Sequence, residues 1–211
     1  MVFVGIFLAL GAQQFVDDLR WKEAVRQEKV DLDQDVRTAW DATSARRVVQ
    51  PCVTRRLADI ARVLDRHARG EPLGINGPIG RATVWSHAQS ALAMASGDGT
   101  LAHIPLRERS AYFRVKAQAD EFQRAAWEER GAWRVLNRLN QAVNLDDRGW
   151  NDIVAAYQDA LDSDRVMRTN LVPDYADGWL SGFNDFPPMP INRDELENPL
   201  TRDLCKAAVM P

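Results

Sequence analysis

The chain has 211 residues, 27 Lys plus Arg against 30 Asp plus Glu, and only two cysteines. That length fits one domain, with or without a membrane segment, and can bury a sizeable core without metals or multiple disulfides. The two charge signs are interspersed and no basic block stands out, which argues against a nucleic-acid partner held through its phosphates.

The N-terminus carries the strongest signal. Residues 1–12, MVFVGIFLALGA, contain no charged side chain. Val2, Phe3, Val4, Ile6, Phe7, Leu8 and Leu10, with Phe15 beyond two glutamines, form an apolar run that ends at Asp17 and Asp18. Sixteen residues at about 1.5 Å each give roughly 24 Å of helix, slightly short of a hydrocarbon core of about 30 Å. A cleavable signal peptide should open on a basic stretch, and here only the α-amino group is basic. A buried core helix is the plainer alternative. The favoured reading is a membrane anchor over residues 1–16, expected to have a basic stretch upstream, with Trp21 at the headgroup level.

Orientation is not fixed by charge. Arg20, Lys22, Arg26 and Lys29 follow the apolar run, and taken alone they place the body in the cytoplasm. Cys52 and Cys205 weigh the other way. A disulfide between them suits an oxidising compartment and would tie the C-terminal tail to the helix around Cys52; two buried free thiols are the alternative.

From 17 to 184 the pattern is that of a helical bundle. Phe15, Leu19, Val25, Leu32, Val36 and Ala39/Trp40 recur at threes, fours and sevens, so the anchor is expected to run directly into a long amphipathic helix. Pro51 is read as the first turn of a second helix carrying Val53, Leu57, Ile60, Leu64 and His67 and ending at Gly70. GEPLGINGPIG at 70–80 is a loop, and a short helix over roughly 81–95 stops at Gly97-Asp98-Gly99. Pro105 opens the longest periodic stretch of the body, with Tyr112, Val115, Ala119, Phe122, Ala126, Trp133, Leu136 and Leu139 on one face. Asp146 or Asp147 caps a helix holding Trp150, Ile153, Tyr157, Ala160/Leu161 and Met167. Pro173 limits it, and one more short turn is expected over 175–183.

Residues 185–211 hold five of the ten prolines and cannot form one long helix. Phe186, Met189, Ile191, Leu196 and Leu200 favour an irregular strap lying across the bundle. The fold class expected is therefore all-α: a transmembrane helix continuing into a helical bundle, closed by a Pro-rich C-terminal strap.

No catalytic constellation emerges. Asp31-Leu32-Asp33-Gln34-Asp35 opens like a calcium loop, but Val36 and Ala42 occupy the positions that need Gly and a bidentate Glu, so a solvated helix face is expected. Gly74, Gly77 and Gly80 lack the spacing of a dinucleotide fingerprint. Ser86 and His87 are adjacent and cannot face one another on a helix. His67, His87 and His103 lie in three separate segments. Asp120, Glu121, Glu128 and Glu129 read as a charged solvent face. Arg46/Arg47 and Arg55/Arg56, flanking Cys52, are the one candidate anion site, at the expected start of the second helix. No cofactor, metal or catalytic residue is assigned.

ALGAQQFVDDLRWKEAV, then RRVVQPCVTRRLADIARVL, then the GPIG loop resemble a group of bacterial single-pass, membrane-anchored, mostly helical periplasmic proteins of uncharacterised function. The likeness covers about the first 80 residues and beyond them only the helical layout. It implies an inner-membrane anchor with the body in the periplasm. The chain departs from the group in lacking a basic stretch before the apolar run, and the shared motifs carry no known chemistry. The function expected is that of a non-catalytic accessory or assembly subunit of a larger inner-membrane complex, in contact with membrane lipid and with partner subunits. The alternative is a periplasmic helical sensor or ligand-binding module.

Overall fold

A computed structural model describes the backbone of residues 2–81, 90–170 and 199–209, and side chains over 11–81, 90–169 and 201–209. The described residues are mostly helical and form no strand; a single bridge pairs Ile75 with Val209. The chain is all-α. The apolar side chains of residues 2–10, His87, the expected turn over 175–183, the strap residues Phe186, Met189, Ile191 and Leu196, and the side chain of Leu200 lie outside this description.

Helix α1 runs unbroken from Val2–Ala68, about 100 Å at 1.5 Å per residue. Pro51 sits inside it, so no second helix begins there. Proline removes the N–H that would bond the carbonyl of Arg47, and its ring crowds that carbonyl. Both Pro51 and Arg47 are exposed, so the freed carbonyl is open to water. On the opposite side Val49 and Val53 are fully buried, and packing there holds the helix together across the defect. The seam that does this repeats every seven residues: Leu32, Ala39, Arg46, Val53 and Ile60 are all buried.

Helix α2 (Ala91–Gly97) is short, and the backbone N–H of Ala91 is bonded by Asp35 Oδ2 at 2.9 Å. After a 3-10 turn over Thr100–His103, α3 spans Leu106–Leu136, opened by Pro105. Its expected apolar face, from Tyr112 to Leu136, is buried throughout. A second 3-10 segment over Asn137–Asn144 leads to α4 (Asp147–Asn170). Asp146 bonds the N–H of Gly149 at 2.8 Å, as an N-terminal cap does.

Lys29 of α1 pairs with Glu108 at the start of α3, while Val49 to Val63 share a core with Ala132, Trp133 and Leu136. Helices α1 and α3 therefore run parallel. His67 at the far end of α1 stacks on Trp150 at the start of α4, so α4 runs back antiparallel. The core divides into three apolar clusters, the smallest being Phe122, Ala125, Ala126 and Met167 between α3 and α4. Of the other two, one gathers Leu32, Val36, Leu92, Leu101, Ile104 and Tyr112; the larger gathers Val49 to Val63 with Trp133, Leu136, Ile153 and Leu204.

The C-terminal end is not wholly irregular. Pro199–Cys205 form a short helix, α5, packed on the lower half of α1, and Cys205 is joined to Cys52 by a disulfide. Arg56 of α1 is fully buried and donates to three carbonyls past the middle of α5, those of Asp203 (3.0 Å), Leu204 (3.1 Å) and Lys206 (2.7 Å). It also bonds the carbonyl of Pro78. These include the carbonyls that a helix end leaves without partners. Gly80, in the left-handed region at φ +68°, passes so close to α5 that a Cβ would sit 3.2 Å from Leu204 Cα.

Because 153 residues separate the two cysteines, the bond closes a very long loop in the unfolded chain. Reduction, or the pair Cys52→Ser and Cys205→Ser, is expected to cost about 2–4 kcal/mol, read as a lower midpoint in guanidinium unfolding of the detergent-solubilised protein with and without reductant. An unchanged midpoint would mean that the Arg56 clasp alone holds the tail.

Candidate functional site: a buried ion network and the arginine groove beside it

Three helices each send one charged side chain to a single buried point inside the bundle. Arg46 of α1 makes a two-pronged contact with Glu129 of α3, Nη1 to Oε2 at 3.0 Å and Nη2 to Oε1 at 2.8 Å. The same Nη2 also donates to Asp164 Oδ1 of α4 at 3.0 Å. All three side chains are 2% exposed. Gln50, one turn on from Arg46, accepts from Arg46 Nε at 3.0 Å and donates to Asp164 Oδ1 at 2.7 Å. Arg168 closes the set from the surface, its Nε 2.9 Å from Asp164 Oδ2. Two cations and two anions thus balance. Burial pushes the Glu129 carboxyl above the usual carboxylate range, opposed by the charge and hydrogen bonds of Arg46.

This placement corrects two expectations. Glu129 does not belong to a solvent face; it is buried where α3 meets α1, although its neighbour Glu128 is exposed. Arg46 and Arg56 are not an anion site at a helix start, because no helix starts there and both guanidinium groups are consumed inside the protein. The acidic stretch 31–35 is likewise more than a solvated face: Asp33 accepts from the Tyr112 hydroxyl at 2.6 Å and Asp35 caps α2.

The other two arginines of the quartet do share a surface. Arg47, Pro51, Thr54, Arg55 and Ala58 fall at helical spacing on one exposed face of α1, and with Gln50 and Arg168 of α4 they line an open groove of about 770 Å³. Asp164, the carboxylate behind it, is fully engaged by Arg46, Gln50 and Arg168. A smaller groove of about 370 Å³, beside Arg81 and Arg134, is different in kind because Asp203 lines it.

Of the residues expected at the membrane end, Phe15 is 66% exposed, and every described side chain from Gly11 to Arg20 is exposed. Trp21 is held by the body instead of standing free: its indole stacks on the His103 ring with centroids 4.0 Å apart. Among the described residues no helix is long and apolar enough to cross a membrane, and no group of His, Cys, Asp or Glu is placed to hold a metal ion.

Sequence reasoning missed the ion network for a definite reason. Arg46 occupies a seven-residue seam whose other members are Leu, Ala, Val and Ile, but the break read at Pro51 hid that the seam continues. No family model, curated protein or solved structure matches the chain.

Truncating one member of the network leaves a charge buried without its partner. Glu129→Ala is expected to destabilise the protein by roughly 3–5 kcal/mol, whereas Arg46→Met combined with Glu129→Leu should cost clearly less than the two single changes added together. Chemical denaturation of the wild type, Glu129→Ala, Arg46→Met, Glu129→Leu and the double variant checks this, and strict additivity would rule out the coupling.

Proposed function

We propose that the protein is a non-catalytic accessory or assembly subunit of an inner-membrane complex. In this reading α1 anchors the chain by its apolar first turns, and the helical body stands in the periplasm. The observation that carries it is the free stem of α1. From Gly11 to Arg20 every described side chain is exposed, and among them stand Phe15, Val16 and Leu19 at 66, 61 and 50% exposure.

Continuity with the packed part of α1 spares the stem the cost of helix nucleation, but not the cost of apolar surface in water. Full burial of one such side chain is worth about 1.5–3 kcal/mol. Phe15 and Leu19 stand one turn apart and present one face, as an anchor of a helix-in-membrane or helix-on-helix contact does. The adjoining run from Val2 to Leu10 is apolar throughout except for Gly5, which extends that surface toward a bilayer. The Cys52–Cys205 disulfide supports an oxidising compartment for the body.

A C-terminal alkaline phosphatase fusion should be active in bacterial cells if the body is periplasmic, and an inactive fusion would overturn that placement. A C-terminal affinity tag should recover a stoichiometric membrane protein from mild detergent, and Phe15→Glu with Leu19→Glu should abolish that recovery without lowering the melting temperature of the body. Recovery of the chain alone, or only as copies of itself, would sink the accessory-subunit reading.

A further inference from the structure

The groove between α1 and the end of α4 is a built cationic surface for which the packing of the bundle has no use. Arg46 and Arg56 are spent on internal acceptors. Arg47 and Arg55 are separated from them by one residue position each, which turns them about 100° around the helix and out to solvent. Arg47 has no partner among the described residues. Arg55 gives one N–H to the carbonyl of Cys205 at 3.2 Å, and Arg168 gives its Nε to Asp164. Each guanidinium carries five donors in a planar fork, so most of the donors on these three remain uncommitted.

The network behind the groove fixes the position of one of these cations. Asp164 is 2% exposed and held on Oδ1 by Arg46 and Gln50, so its Oδ2 is a fixed acceptor for Arg168. Thr54 adds a hydroxyl, already within 3.2 Å of Gln50 Nε2, and Pro51 and Ala58 supply apolar floor. The disulfide and the Arg55 contact hold α5 against this same stretch of α1.

We propose that this groove is a binding site for a phosphate-bearing ligand, with Arg47, Arg55 and Arg168 as the cationic contacts and Thr54 as a neutral donor. Guanidinium forks match phosphate oxygens two at a time, and three of them around one open volume, with no carboxylate among the described lining residues, favour a dianion or polyanion over a single carboxylate. The phosphate can belong to a soluble ester or to a lipid headgroup. From residue 16 to Pro51 the helix rises about 50 Å, so a headgroup of the bilayer that holds the anchor is out of reach of an upright α1. The site stands on a different part of the molecule from the stem and holds whether or not the stem docks a partner.

The test is calorimetric titration of the full chain in detergent micelles with inorganic pyrophosphate, and separately with dihexanoyl phosphatidic acid against dihexanoyl phosphatidylcholine. Saturable binding of pyrophosphate, weakened at least tenfold by Arg47→Glu at unchanged melting temperature and weakened again by added salt, establishes the site and a soluble source. Binding of the phosphatidic acid alone, with the same loss in Arg47→Glu, establishes the site and a lipid source. Arg47→Gln should lie between the two proteins, since it removes charge without reversing it. Absence of saturable binding by either probe, equal binding of phosphatidylcholine, or affinity unaltered in Arg47→Glu would overturn the proposal.

Discussion

Arg46 dictates how this bundle is put together. A guanidinium taken out of water costs several kcal/mol unless its donors are met by acceptors of opposite charge, and here those acceptors come from two other helices. Glu129 can reach it only when α3 lies parallel to α1 in one register, and Asp164 only when α4 runs back beside both. A slide of one turn along any of the three helices, about 5.4 Å, would leave a buried charge alone. Such a network adds little net stability over well-packed apolar residues, because desolvation cancels most of the attraction. It does penalise every other register, which a seam of Leu, Ala, Val and Ile does far more weakly.

The lower half of the molecule repeats the device with backbone acceptors. Arg56 gathers carbonyls of the tail, and Asp59, three residues further on, receives Arg62 at 2.6 Å and lies 3.9 Å from Arg56 Nε. Burial lowers the pKa of the Arg56 guanidinium from its ordinary value, opposed by the nearby carboxylates of Asp59 and Asp203. Gly80 allows the 70–80 loop to approach α5 closely enough for Pro78 to join the same cluster of carbonyls. The disulfide then closes what the hydrogen bonds have positioned. Residues 199–209 are thus an integral layer of the bundle, with Leu204, Ala208 and Val209 in one core with Val53, Ile60, Val63 and Ile79 of the loop.

Along α1 these constraints divide one helix into regions with different surroundings. Its last forty or so residues are committed to the bundle on one face, and the outward side of that length carries the arginine groove. Residues 21–29 make partial contacts, such as Trp21 on His103 and Lys29 with Glu108. Before them every described side chain, from Gly11 to Arg20, is exposed.

The sequence by itself determined the helical class, the loop at 70–80, the apolar face from Tyr112 to Leu139 and a cap of α4 at Asp146 or Asp147, of which the structure uses Asp146. Each follows from local chemistry: side-chain periodicity, glycine and proline punctuation, and a short acidic side chain next to free N–H groups. The continuity of α1 through Pro51 was decided by tertiary structure, because the local preference of proline was outweighed by packing contributed from α3, α4 and the tail, all remote in sequence. The burial of Arg46, Arg56 and Glu129 was decided there too. A charged residue on a helix reads as solvated until its partners are known, and these partners lie 83 and 118 residues from Arg46 and about 150 from Arg56. The separation of Arg47 and Arg55 from their neighbours has the same origin. Adjacent residues of one type are alike in sequence, and only the direction in which the bundle lies makes one of each pair internal and the other available to a ligand.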